Sequence, residues 1–305
     1  MKALVTGASG FVGGRVAGAL AEAGIEVRAM VRSPERAGAL RAAGHEVVRA
    51  DVLDPGTLEG VGRDVDVAYY LVHSMGRGGS AASDFAERER SAARNFARMV
   101  REEGVSRTIY VGGLGDSGGS KHLRSRHETA EVLAANGPPL TYFRAAMVVG
   151  AGSESYRTLR YLVQRLPVMI APSWLRTPTQ PIGIDDTVAY LTAAPTVAES
   201  VGREIQIGGP DVLAYGDMLG EMAEVLGARR RPMVPVPLLS PTLSSLWIGL
   251  VTPVDTGVAR PLIEGLRTET VVTDPSGARL FDVDPIPFRA TLERAVAEER
   301  RAARS

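Results

Sequence analysis

Thr6-Gly7-Ala8-Ser9-Gly10-Phe11-Val12-Gly13 follows a short apolar run, residues 3–5, and continues into a helical pattern. Glycines three apart at such a strand-to-helix turn let the chain bend tightly, let backbone approach a bound group, and let helix and strand pack closely. The helix start adds unpaired N–H groups and the positive end of a dipole. Together they make a cradle for the pyrophosphate of a dinucleotide, with Thr6, Gly7, Ser9, Gly10, Phe11, Val12 and Gly13 as the expected contacts. An ordinary glycine-rich turn is the plain alternative, and the strand that follows after one helix argues against it.

That second strand, residues 26–31, runs into Arg32-Ser33. A carboxylate at this tip serves the ribose hydroxyls of NAD, whereas an arginine serves the 2′-phosphate of NADP through its forked guanidinium. Arg32, with Ser33 as a hydroxyl donor, therefore favours NADP (as NADPH) over NAD. The alternative is a solvated arginine in an arginine-rich chain.

These residues need a sheet to hold them. Apolar runs predict strands at 2–6, 26–31, 46–50, 66–72, 107–112, 140–145, 179–184 and 204–207. Helical patterns lie near 11–23, 34–43, 56–61, 82–103 and 121–136. Such alternation builds an α/β, doubly wound parallel sheet of Rossmann type, with ligands beyond the carboxyl ends of the strands. Residues at those ends are further cofactor candidates: Asp51, Val52, Leu71, Val72, His73, Gly112 and Ala145. Ser74, Met75 and Leu114 continue along the same mouth toward substrate. His73 is either catalytic or a hydrogen-bonded structural histidine.

Past Gly150 prolines multiply and the regular pattern loosens. Residues 1–150 read as the dinucleotide-binding core, and 151–305 as a smaller C-terminal lobe integrated with it. Trp174, Arg176 and Gln180, in an irregular stretch of that lobe, are candidate substrate contacts.

Composition narrows the classes. The 305 residues are 45% hydrophobic and 23% charged with zero formal net charge, which gives no case for nucleic acid as a partner. The absence of cysteine excludes disulfides, thiolate metal sites and cysteine nucleophiles. His45, His73, His122 and His127 are scattered, without metal-ligand spacing. The apolar stretch 238–254 is shorter than a membrane span needs and is interrupted by Pro241 and Pro253. It reads as a buried or interfacial helix, with a homodimer face or a monotopic membrane contact as the other readings. The chain opens directly on a strand, so the expected location is the cytoplasm.

The opening motif resembles that of extended and atypical short-chain dehydrogenases. So do Asp51-Val-Leu-Asp54, Asn95, residues 144–150 and the segment Pro181-Ile-Gly-Ile-Asp-Asp-Thr-Val-Ala-Tyr190. The chain looks most like the NmrA-like, nucleoside-diphosphate-sugar-epimerase-like atypical members. That resemblance implies a Rossmann fold and an NAD(P)H site.

The departure from the family pattern lies in the catalytic pair. Short-chain dehydrogenases normally carry Tyr-x-x-x-Lys, in which the lysine lowers the tyrosine pKa and the tyrosine exchanges a proton with substrate. The residues four places after the eight tyrosines are His, Ser, Leu, Ala, Arg, Arg, Ala and Leu, so the pair is absent. The resemblance instead puts His122 at the tyrosine position and Arg126 at the lysine position. His122 has the pKa range of a proton donor, and Arg126 has the charge to hold ribose or phosphate. Both could equally be surface or phosphate-steering residues. Two functions follow: an NADPH-dependent oxidoreductase acting on a small organic carbonyl or enone, or a non-catalytic NADP(H)-binding sensor or assembly factor.

Overall fold

The structure, a computed structural model, describes residues 1–72, 82–115, 120–166, 169–171, 173–230, 232–235 and 268–304. In chain order the first half contains β1 (Lys2–Thr6), α1 (Phe11–Glu22), β2 (Glu26–Val31), α2 (Gly38–Ala42), β3 (Glu46–Arg49) and β4 (Val67–Tyr70). It continues with α3 (Ala82–Glu102), β5 (Arg107–Gly113), α4 (Lys121–Asn136) and β6 (Leu140–Ala145). The second half adds β7 (Val148–Val149), α5 (Glu154–Arg165), β8 (Met169–Ala171), β9 (Pro178–Thr179), β10 (Ile182–Gly183) and α6 (Ile184–Ala193). Then come β11 (Glu204–Ile207), β12 (Leu213–Ala214), α7 (Tyr215–Val225), β13 (Met233–Pro235) and α8 (Phe288–Ala302).

Seven strands form one sheet in the order β11-β6-β5-β4-β1-β2-β3, and every pairing is parallel. The winding reverses between β1 and β4. This is the Rossmann-like α/β fold, and the reversal opens a crevice at the carboxyl ends of those two strands.

The central strands β1, β4, β5 and β6 are largely buried because both faces are covered. Side chains alternate between two clusters. Ala3, Val5, Tyr69 and Ile109 pack on the face covered by α1 and α6, while Leu4, Ala68, Tyr70 and Tyr110 pack against α3 and α4. A third cluster joins α5, α7 and α8 through Tyr156, Leu159, Met218, Met222, Phe288 and Leu292.

Three sequence expectations change. Residues 179–184 form no strand of the main sheet. Thr179 pairs with Leu213, the Gln180 amide donates to the Thr270 carbonyl at 2.9 Å, and Ile182 donates to the Met147 carbonyl at 3.0 Å. The chain changes partner across Pro181, which has no N–H to give. The helix expected at 56–61 shrinks to a single 3-10 turn, Pro55–Thr57, because Pro-Gly favours a turn. The one expected over 34–43 divides into the turn Pro34–Arg36 and the short α2. The stretch 238–254 lies outside the described residues. Among the described residues no helix is long and apolar enough to cross a membrane.

Candidate functional site

A cleft of about 620 Å³ runs along the carboxyl edge of the sheet. Its near end is the glycine turn. Gly7 has a φ of 65°, in the left-handed region, and a Cβ on it would stand 2.5 Å from the Leu71 carbonyl oxygen. A Cβ on Gly13 would run into the Gly7 carbonyl. Helix α1 therefore lies against the turn at a separation that only glycine permits. Gly10 caps α1 with no side-chain hydrogen bond, and the first turn carries no acidic residue. Backbone donors, a positive dipole end and no obstructing side chain fit a diphosphate.

Ser9, Phe11 and Val12 line this end with the three glycines. Arg32, exposed at the tip of β2, lines the same wall, as do Asp51 and Val52. Asp51 Oδ1 accepts the Leu53 amide at 3.0 Å, and the Val52 carbonyl accepts Asn95 Nδ2 at 2.9 Å, which fixes the loop after β3 onto α3. Leu71, Val72, Gly112, Leu114 and Ala145 line the middle.

Two expected cofactor contacts are placed elsewhere. Thr6 is fully buried; its hydroxyl donates to the Tyr69 carbonyl at 2.9 Å and accepts the Leu71 amide at 3.0 Å. It registers β1 against the end of β4, one layer behind the cleft wall. Ser33 is exposed and starts the Pro34–Arg36 turn, off the lining. On the substrate side, Arg176 is exposed and Gln180 is half-buried, and neither lines the cleft. Gln180 is committed within the fold: Nε2 donates to the Gly209 carbonyl at 2.7 Å and Oε1 accepts the Val272 amide at 2.9 Å. His73, Ser74 and Met75 lie outside the described residues. So do the side chains of His122 and Trp174, whose backbones belong to α4 and to the turn Ser173–Arg176.

Ser120 starts α4 by accepting the Leu123 amide at 3.1 Å. Leu123 and Arg126, one turn along, line the cleft. Arg126 Nη1 donates to the Tyr110 hydroxyl at 3.3 Å. Burial works against the Arg126 charge, but Tyr110 and Glu89 outweigh it and leave the guanidinium's pKa raised. Burial also pushes the Tyr110 hydroxyl up, so it stays neutral at ordinary pH. Beside it, Tyr142 stacks on Tyr110 with ring centroids 5.3 Å apart and meets His127 Nδ1 at 3.3 Å. His127 Nε2 in turn lies 3.1 Å from the Gly115 carbonyl oxygen. These aromatic and imidazole groups stand where sequence reasoning marked only Gly112. A Cβ on Gly112 would lie 2.7 Å from the Tyr142 hydroxyl, so that tyrosine explains the glycine.

Sequence reasoning missed the far wall. Glu154 and Ser155 in the first turn of α5, Thr179, Tyr215 at the start of α7, and Thr268 and Thr270 all line it. Thr179 and Thr270 are joined hydroxyl to hydroxyl at 2.7 Å. Ser153 ahead of Glu154 is a recognisable helix start, and the alternating run Thr268-Glu-Thr-Val-Val reads as extended chain. Nothing local in the sequence says that these pieces meet.

Residues 7–148 match a family model described as NAD(P)H-binding. Over 94% of its length the chain is 26% identical to a mitochondrial NADH dehydrogenase [ubiquinone] 1 alpha subcomplex subunit 9 of Arabidopsis thaliana, 74% of which is covered. A (4-alkanoyl-5-oxo-2,5-dihydrofuran-3-yl)methyl phosphate reductase of Streptomyces griseus is 27% identical, with 73% of each chain covered. Among solved structures, the NADPH complex of an NADPH-dependent quinone oxidoreductase from Escherichia coli superposes with a TM-score of 0.75 at 20% identity, covering 96% of this chain and 98% of that one. The NAD(P)H-binding description agrees with the reading of the opening motif, and the solved structure agrees with it in fold.

Proposed function

We propose, from the match of residues 7–148 to an NAD(P)H-binding family model, that this protein is an NADPH-dependent reductase of small organic carbonyls or enones. The observation that carries this reading is the continuity of the cleft. The groove lined by the glycine turn is also lined by Leu114, Thr179, Tyr215 and Thr270, giving a second molecule room beside the dinucleotide.

The roles divide along that groove. The turn from Gly7 to Gly13 and the start of α1 hold the diphosphate. Arg32 holds the 2′-phosphate, with Asp51 and Val52 beside it. Arg126 holds a ribose hydroxyl or phosphate oxygen. Ser74, Met75, Leu114 and Trp174 contact substrate. The hydride comes from the reduced nicotinamide when that group is bound. His122, four residues before Arg126 on α4, supplies the proton to the substrate oxygen or enolate carbon, with His73 as the alternative proton donor. Leu123, Leu114 and Ala145 restrict water beside the reacting atoms, and holding the substrate in place supplies much of the rate in the absence of a Tyr-x-x-x-Lys pair.

A second reading has its own support. The missing Tyr-x-x-x-Lys pair suits an NADP(H)-binding sensor or assembly factor that reports cofactor state to a partner. One comparison separates them. NADPH oxidation is followed with a panel of quinones, enones and aldehydes, for the protein and for its His122→Ala variant. Turnover that is lost in the variant while NADPH binding persists supports the reductase. No turnover on any panel member, together with an NADPH-dependent affinity for another protein, supports the sensor.

A further inference from the structure

Arg15 lies on α1 behind the cleft, and none of the roles above uses it. Its guanidinium sits over the Phe11 ring, 4.5 Å from the centroid. Nη1 donates to the Phe11 carbonyl at 3.2 Å, and Nη2 donates to the Ala151 carbonyl at 3.0 Å and to Glu298 Oε1 at 2.7 Å. One side chain thus touches three separate parts of the molecule: the start of the cofactor helix, the turn between β7 and α5, and α8, more than two hundred residues along the chain.

Two of those parts form the cleft. Phe11 and Gly152 both line it. A Cβ on Gly150 would come 3.3 Å from Phe11 Cζ, and one on Gly152 would come 3.8 Å from Phe11 Cδ2, so the ring packs directly on this turn. The neighbouring carboxylate ties α8 to α5. The next residue, Glu299, accepts the Tyr156 hydroxyl at 2.8 Å and pairs with Arg160 of α5. Two adjacent carboxylates on α8 therefore grip the helix that begins at the cofactor end and the helix that begins at the far wall.

We infer that Arg15, held by Glu298, is a positioning residue for the dinucleotide: it presses Phe11 and the 150–153 turn into one wall against which the cofactor seats. The inference rests on the NADPH reading above. The energetic weight lies in the fork and the ring contact. The Arg15–Glu298 pair itself is part-exposed, at 30% and 53%, and exposed pairs contribute little on their own. Lysine keeps the cation over the ring but loses the fork, whereas alanine loses both.

The test is NADPH affinity, read by fluorescence titration, beside the melting temperature of each variant without cofactor. Arg15→Ala should weaken NADPH about five- to tenfold with a cofactor-free melting temperature close to that of the parent. Arg15→Lys should recover part of that loss, through the ring contact alone. Glu298→Gln should weaken NADPH about two- to threefold, and adding it to Arg15→Ala should cost nothing further. The reversed pair, Arg15→Glu with Glu298→Arg, should stay as weak as Arg15→Ala, because the ring and the two carbonyls need a cation at position 15. Affinity within twofold of the parent in Arg15→Ala, or full recovery in the reversed pair, overturns the inference and leaves the cofactor reading intact. Failure of the unaltered protein to bind NADPH overturns both.

Discussion

Arg126 Nη1 donates to the Tyr110 hydroxyl at 3.3 Å, and that hydroxyl returns a hydrogen bond to the Arg126 carbonyl at 3.4 Å. The guanidinium also lies over the tyrosine ring, 6.0 Å from its centroid. A buried neutral hydroxyl thus fixes a cation at the cleft wall, and little side-chain freedom remains to be lost when an anion arrives. Arg126→Met should weaken NADPH at least about tenfold, the effect of losing one charge-assisted hydrogen bond of about 1.5–3 kcal/mol. Tyr110→Phe keeps the cation and loosens its seat, so its effect on affinity should be smaller, about two- to threefold. A titration that ranks the two in reverse refutes this division of labour.

Arg32 is exposed at the tip of β2 on the cleft wall, where a 2′-phosphate distinguishes NADP from NAD. Arg32→Ala should weaken NADPH by about tenfold or more and leave NADH nearly unchanged, since only the phosphorylated form has a partner for the fork. Equal weakening of both coenzymes would show that Arg32 does not set the preference.

Two glycines of α1 make opposite predictions. Gly13→Ala drives a methyl into the Gly7 carbonyl and should abolish dinucleotide binding. Gly18 lies in the middle of the same helix with nothing within 4 Å of a Cβ. Gly18→Ala should stabilise the fold by about 0.5–1 kcal/mol, read as a higher melting temperature, with affinity unchanged.

Asp186 is buried in the first turn of α6. Burial pushes its carboxyl up; the Ile286 amide, donating at 3.2 Å, opposes this, and Asp185 adds to the rise. A carboxyl raised on folding favours the folded state most while it is protonated, and that contribution fades as pH climbs through the raised value. Asp186→Asn imitates the protonated form. Its melting temperature should match that of the parent in acid and exceed it increasingly toward neutral pH. A gap that is constant with pH would exclude a titrating Asp186.

The legible part of the site is the part confined to one short stretch of chain. The glycine turn, its helix and Arg32 fall within one strand-helix-strand unit, so type and spacing alone located them. The far wall is assembled by the fold from α5, β9, α7 and residues 268–270, each ordinary by itself, and only long-range packing brings them together. Gln180 shows the converse error. A polar side chain in an irregular stretch reads as a substrate contact, but its amide is consumed by Gly209 and Val272. In the same stretch, extended apolar character at 179–184 suggested one sheet strand, where Pro181 makes the chain change partners.

The fit between Gly112 and Tyr142 has a historical consequence. The phenol occupies the space that any larger residue at position 112 would require, since even a methyl would stand 2.7 Å from its oxygen. A serine at that position would therefore be a dead end until Tyr142 had first become smaller, and the reverse order would leave a void beneath the cleft floor. The two sites can drift only as a pair. A lineage settled on this arrangement is separated by an epistatic barrier from one with a larger residue at position 112, and laboratory evolution across it would need both codons randomised together.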